Sequence, residues 1–356
     1  MVKNRIEPKV ESQVHGSLQK ASTALRWEAH ACLPLSMSSS IEPLLHYQQA
    51  GVDYVSINIG MDLNPLAQIM QSLAHFRAQI KAQPNLCLAG SLKDIRQAKQ
   101  QGKLSIGFDL EGALPLLESP EMVYLYRDLG VRQIHLAYNR NNSVAGGCHD
   151  QDQGLTQLGF QILEAMNRAG IIVDCSHMSK RSSLDLIENS RSPAIFSHAN
   201  PDSLVPHQRN ICDERLKAIA KHRGVVCLNG VNLFLGEQKP SLQRFIDHIC
   251  YVADLIGTEH IGIGLDISFK QVGVNDDPSG YFDPSYWWPK TAGYSDGINQ
   301  ISYLPISTWA ELPIALEARG FHSEEIDLIL GENMARILAQ VETVAHSKLP
   351  KQKQRI

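Results

Sequence analysis

No apolar run in the chain approaches the roughly eighteen residues that a membrane-crossing helix needs. The first thirty residues carry no apolar leader segment either, so the expectation is a cytoplasmic protein without a membrane partner. Cys-x-x-Cys spacing is missing too. The seven cysteines, at 32, 87, 148, 175, 212, 227 and 250, are scattered and odd in number, which argues against a disulfide framework and a thiolate zinc cage. Most of them read as small buried hydrophobes. No Gly-x-Gly-x-x-Gly opens a helix after the first strand, so a dinucleotide-binding sheet lacks its main signature. Charge of one sign is also lacking: 33 basic against 37 acidic residues leave a formal charge of -4 and no stripe for a phosphate backbone. The basic tail at 348–355 reads as a solvated terminus, and no nucleic-acid partner is expected.

What is present is a chain of 356 residues, 43% hydrophobic, with no linker or composition shift to divide it. Such a chain can bury a large core. Eight short apolar runs, at 27–33, 54–59, 104–110, 133–138, 171–176, 194–197, 225–229 and 261–266, read as strands. Most intervals between them carry helical periodicity, as at 119–129, 155–169, 179–189, 214–222 and 242–256. Gly51, Gly130, Gly170 and Gly224 stand before strands as helix-ending glycines. Eight strand and helix units without a hairpin signal favour an α/β protein with a closed (β/α)8 TIM barrel over an open sheet. The expected organisation is an N-terminal extension over 1–25, a barrel over 26–340 and a tail over 341–356. The interval 268–307, with Tyr281, Phe282, Tyr286, Trp287, Trp288 and Tyr294, is long and aromatic enough to predict a lid-like insert.

In such a barrel the loops after the strands build the active site. Two strands end in Ser-His, at His177 and His198, and parallel strands would bring both imidazoles to one rim. Two neutral imidazoles there are a common way to hold a transition metal, the structural alternative being a pair of buried, hydrogen-bonded histidines. The first strand ends His30-Ala31-Cys32, the third Asp109-Leu110-Glu111, the fourth Tyr138-Asn139-Arg140 and the eighth Gly264-Leu265-Asp266. Residues two apart on a strand share a face, so His30 can point with Cys32, and Asp109 with Glu111. Three histidines with Glu111 and Asp266 make up the inventory of a zinc hydrolase, and Glu111 can bridge two ions.

The sequence resembles the membrane (renal) dipeptidase family of zinc peptidases over most of its length. The resemblance rests on Leu129-Gly-Val-Arg132, Gly154-Leu-Thr156, Met166-Asn-Arg168, Val173-Asp-Cys-Ser-His177, Ile195-Phe-Ser-His198, Arg209-Asn210, Gly262-Ile-Gly264 with Asp266, and Glu332-Asn333. It implies a barrel hydrolase holding one or two Zn2+ ions, with His177 and His198 on one ion, Glu111 bridging and His30 on a second. It further implies that Asp266 exchanges protons with the attacking water and the leaving amine, and that Arg209 takes the carboxylate of a dipeptide-like substrate. C-terminal D-residues and a homodimer are expected on the same basis. Two positions depart from the family. Cys32 stands where the family has aspartate, either as a thiolate ligand or as an inert core thiol. Tyr138 stands where better-known members have a histidine, and its hydroxyl can donate a hydrogen bond to the substrate.

Those departures keep two rival functions open: a related metal-dependent amide or lactone hydrolase of a specialised metabolite, and an inactive ligand-binding homologue. Gly146-Gly147-Cys148-His149-Asp150 reads as a flexible loop, with an extra metal or substrate contact as the alternative. His135 is expected to be a satisfied barrel histidine and His207 to be no more than a pocket-lining residue. Trp287 and Trp288 read as a substrate cover or as a dimer contact.

Overall fold

Each of the eight expected runs forms a strand in the computed structural model, which describes residues 23–271, 283–295 and 300–347. The strands are β1 (Trp27–Cys32), β2 (Tyr54–Met61), β3 (Leu86–Leu88), β4 (Leu104–Glu111), β5 (Val131–His135), β6 (Ile172–Asp174), β7 (Ile195–Phe196), β8 (Val225–Leu228), β9 (Ile261–Ile263) and β10 (Ile267–Ser268). They pair in parallel in the order β1-β2-β4-β5-β6-β7-β8-β9, and β9 returns to β1 where Ile263 lies opposite Glu28. This closes the ring. β3 was not expected: it pairs with the start of β4 outside the ring, and a three-residue Leu-Cys-Leu run is too short for periodicity to register.

Strands sandwiched between an inner core and outer helices are apolar on both faces. Ile57, Phe108, Ile134, Val173, Phe196 and Ile263 are accordingly buried. Four of the helices between strands start on side-chain caps, which satisfy one of the first free N–H groups: Ser91, Thr156, Ser179 and Ser241 each accept from the backbone N–H three residues on. Gly170, at φ 71°, ends the helix Gln157–Ala169 as expected. At 224 the expectation fails in detail. The left-handed residue is Arg223, at φ 62°, and Gly224 is small because it lies against Ala194 O and Ile219.

Several strands stop short of their predicted ends. The eighth run splits into β9 and β10 because Asp266 takes φ 60°, and β6 stops three residues before His177, at φ 65°. Asn139, after β5, has φ 59°. Left-handed backbone is uncommon outside glycine, is adopted most readily by Asn, Asp and His, and clusters at functional sites. The split is held by Glu28, whose Oε1 accepts from Leu265 N at 2.8 Å and whose Oε2 accepts from Trp309 Nε1 at 3.1 Å. Gly264 sits so close to Ser197 O that no side chain fits.

Part of the expected insert is described: the helix Pro284–Trp287, the turn Lys290–Ala292 and a bridge between Tyr303 and Val231. Tyr281, Phe282, the first 22 residues and the basic tail lie outside the described residues. Residue 340 falls within the helix Asn333–His346, where Val341 is buried. Among the described residues no helix is long and apolar enough to cross a membrane.

Replacing Gly264 by alanine should force β9 away from the loop after β7, at a cost of about 1–3 kcal/mol typical of overpacking. Urea unfolding measures this; an unchanged midpoint would contradict the close approach.

Candidate metal centre

The pleat of β4 turns Asp109 and Glu111 to the same side, and the other strand ends converge on them. Glu111 Oε1 lies 2.9 Å from His177 Nε2, 3.5 Å from His198 Nε2 and 3.5 Å from His30 Nε2. The two Nε2 atoms of His177 and His198 are 2.9 Å apart. Cys32 Sγ is 3.4 Å from His30 Nε2, so the predicted shared face of His30 and Cys32 is found. Potential ligand atoms within 4.8 Å of one another form three groups: Glu111 with His177 and His198, His30 with Cys32 and Glu111, and His30 with His198 and Asp266. Glu111 thus belongs to two neighbouring groups.

Whether these residues suit a cation depends on where their protons are. Asn139 donates through Nδ2 to Trp287 O at 3.1 Å, so its Oδ1 accepts from His177 Nδ1 at 2.7 Å. The His177 Nε2 lone pair is then left facing Glu111. His198 Nδ1 is 2.8 Å from Ser197 Oγ, which leaves its Nε2 on the same side. Burial, followed by Arg209 for His177 and by His30 for His198, holds both rings well below the usual imidazole pKa. Both are neutral. A buried carboxylate oxygen beside two neutral imidazole nitrogens is a donor set that fits a divalent metal.

The His30 side differs. Burial opposes its protonation, yet Asp109 and Glu111 hold its pKa well above the usual range; His30 Nδ1 is 3.3 Å from Asp109 Oδ1. Asp109 is fixed by Ser56 Oγ at 2.6 Å and Asn58 Nδ2 at 3.3 Å, and Asn58 also donates to Glu111 Oε2 at 3.2 Å. Burial pushes Glu111 up to about 7 and the Cys32 thiol up to about 12, against the pull of the neighbouring His30. A bound cation would reverse both tendencies.

The remaining predicted residues border the same cavity. Asp266 accepts from Asn229 Nδ2 at 2.9 Å through Oδ2, and its Oδ1 is 3.7 Å from His30 Nε2. Arg209 is buried, with Nη2 at 3.3 Å from both His177 Nε2 and His198 O and its guanidinium 5.5 Å from the Phe234 ring centroid; it forms no ion pair among the described residues. A buried guanidinium without a carboxylate is suited to one brought by a ligand. The Tyr138 ring lies over His177 at 4.4 Å between centroids. Trp288, Tyr294, Ile301 and Tyr303 complete the cavity wall, so the described part of the aromatic insert does reach the site.

Several contributors escaped the sequence reading. Asn139, which orients His177, lies in the polar Tyr138–Asn142 run, but only structure reveals its target. His135 is indeed a paired barrel histidine: its Nε2 is 2.6 Å from Asp174 Oδ2, and Asp174 Oδ1 accepts from Ser176 N at 2.9 Å and Ser197 N at 3.1 Å. Asp174 thereby ties together the two backbones that carry His177 and His198. The glycine loop is fastened rather than free, with Cys148 N donating to His177 O at 2.9 Å and His149 N to Asn139 O at 2.8 Å. His207 does not line the cavity; its Nδ1 accepts from Arg209 N at 3.0 Å.

Asn139→Ala should weaken the binding of a divalent metal by about 10–100-fold, the usual cost of removing a group that orients a ligand. Chelator competition measures it; unchanged affinity would show that His177 needs no such support.

Comparison with known proteins agrees with this geometry. Residues 36–285 match the family model described as Membrane dipeptidase (Peptidase family M19). The match begins after β1, so His30 and Cys32 rest on geometry alone. Dipeptidase tcpJ of Claviceps purpurea is 28% identical over 266 residues, 73% of this chain and 56% of that protein. The chain spans about half the length of the first curated relatives it matches. Among solved structures, an amidohydrolase from Pseudomonas aeruginosa is 25% identical with a TM-score of 0.77, covering 89% of this chain and 96% of that one. A metallo peptidase from Rhodobacter sphaeroides, liganded with a phosphinate mimic of the dipeptide L-Ala-D-Ala, shares the fold at 18% identity and TM-score 0.71, covering 90% and 100%. The family match spans most of the barrel and includes Glu111, His177, His198, Arg209 and Asp266, and the chain belongs to the membrane dipeptidase family.

Proposed function

We propose that the protein is a zinc-dependent dipeptidase, hydrolysing small peptides that carry a free C-terminal carboxylate, those with a C-terminal D-residue included. The observation that carries this is the Glu111 carboxylate oxygen within 3.5 Å of three imidazole nitrogens. The R. sphaeroides barrel, which takes an L-Ala-D-Ala mimic, supports the inclusion of D-residues.

Glu111, His177 and His198 would hold one zinc ion, and His30, Cys32 and Glu111 a second. A zinc ion held by these residues would supply a Lewis acid for the scissile carbonyl and lower the pKa of water from about 15.7 toward about 7. Asp266 takes the proton from the attacking water and returns it to the leaving nitrogen. Asn229 fixes one oxygen of that carboxylate, which leaves Oδ1 for the exchange. Arg209 binds the substrate carboxylate. Burial keeps the Tyr138 phenol neutral, so it offers an O–H donor beside the reacting carbonyl and never a negative charge. Trp288 and Tyr294 shield the cavity from water.

The test is hydrolysis of L,L and L,D dipeptides by zinc-loaded and chelator-treated protein. Cleavage should be lost on chelation and restored by zinc, and Glu111→Gln should abolish it while leaving the circular dichroism spectrum unchanged. No cleavage across the panel would move the protein to the specialised amide or lactone hydrolases, or to inactive homologues.

Zinc content separates the two roles of Cys32. Cys32→Ala should lower it from about two ions per chain to about one; an unchanged content would make Cys32 an inert core thiol.

A further inference from the structure

The part of the insert at 284–294 is fastened to the barrel by the carbonyl end of its short helix. The last carbonyl groups of the helix Pro284–Trp287 have no partner within it, and two residues after β5 take them up. Trp287 O accepts from Asn139 Nδ2 at 3.1 Å, and Tyr286 O accepts from Arg140 through Nε, at 2.6 Å, and through Nη2. The Arg140 guanidinium also lies 4.6 Å from the Tyr286 ring centroid. Its Nη1 donates to Asp150 Oδ1 at 2.7 Å and His149 O at 3.1 Å, so the fork is held from both sides. Further along, the Tyr294 ring meets His149 and His207 edge-on, at 5.5 and 5.6 Å between centroids. Trp288 and Tyr294 line the cavity.

Asn139 has a second partner. Its Nδ2 serves the insert while its Oδ1 serves His177 Nδ1, at 2.7 Å. An asparagine amide is nearly symmetric in shape, so the same group turned over fits the same buried space and faces His177 with N–H instead of oxygen. His177 would then accept at Nδ1 and carry its proton on Nε2, the atom 2.9 Å from Glu111 Oε1, where a protonated nitrogen cannot bind a metal. Among the described residues the strong contact that chooses between the two settings is Trp287 O, which accepts and never donates. The Cys148 thiol, 3.5 Å from Oδ1, is a weak donor in one setting and a weak acceptor in the other.

We propose, resting on the metal site above, that Asn139 links the seating of the segment 284–294 to metal binding at His177, with Arg140 as the anchor that keeps the segment within its reach. Both are positioning residues. A metal on His177 Nε2 requires Nδ1–H, hence Oδ1 toward the ring and Nδ2 toward Trp287 O. The two events favour each other by one common factor, because a coupling free energy is reciprocal. Trp288 and Tyr294 then complete the cavity wall around a loaded site in preference to an empty one.

Hydrogen exchange read by mass spectrometry, on the full chain with and without zinc, tests the link without turnover. The amides of Tyr286, Trp287 and Trp288 donate to Asp283 O and Pro284 O and report the seated segment. Zinc should slow exchange across 284–294 by at least about fivefold in wild type. Arg140→Ala, which alters no proposed metal ligand, should speed that exchange and weaken zinc, measured by chelator competition, by about the same factor. Asn139→Asp separates the two ends of the link, since a carboxylate still accepts from His177 Nδ1 but cannot donate to Trp287 O. That variant should hold zinc at least as tightly as wild type, while its exchange across 284–294 no longer responds to the metal. Should Arg140→Ala fold poorly, wild type and the aspartate variant still decide. Zinc bound by wild type with exchange at 284–294 unchanged, or slowed equally in Asn139→Asp, would overturn the link and leave the metal site intact. No zinc bound by wild type would overturn the metal site itself and the link with it.

Discussion

The arrangement of the barrel mouth turns on one carboxylate, Glu111, buried where water cannot compensate it. A charge in that position is tolerated only if positive charge or hydrogen-bond donors surround it. The barrel supplies few donors of its own: Asn58 to one oxygen, and imidazole nitrogens around the other. One of those nitrogens, His177 Nε2, presents a lone pair. The site is therefore built for a cation brought from solution, and the surrounding hydrogen bonds set ring orientation rather than neutralise charge.

That requirement extends outward in layers. Asn139 sets the proton position on His177, Ser197 Oγ holds the His198 ring through Nδ1, and Asp174 secures the backbone turns that carry both rings. Left-handed backbone at Asn139, His177 and Asp266 ends the strands early and swings their side chains over the mouth. Dense packing around Gly264 and the buried Glu28 keeps those turns in place. The cavity over Glu111 is lined by apolar residues such as Leu33, Leu35 and Leu63.

Much of this was legible in the sequence. A closed barrel follows from eight apolar runs alternating with helical periodicity, and the polar residues after each run identify the mouth, because a parallel barrel puts all its strand ends on one rim. His30, Cys32, Glu111, His177, His198, Arg209, Tyr138 and Asp266 do border one cavity or its floor. Strand ends were less legible, since a positive φ at His177 or Asp266 depends on tertiary contacts that no local pattern records. The supporting residues were hidden for a similar reason. Asn139 meets His177 across 38 positions and Asn229 meets Asp266 across 37, and an asparagine in a loop looks alike whether it caps a turn or orients a ligand. β3 escaped because three residues carry no period.

The most direct measurement is anomalous X-ray scattering at the zinc edge from crystals of the zinc-loaded protein. Two peaks are predicted, one among Glu111, His177 and His198 and the other among His30, Cys32 and Glu111. A mouth with no anomalous peak, or zinc held only at residues away from Glu111, would contradict the account.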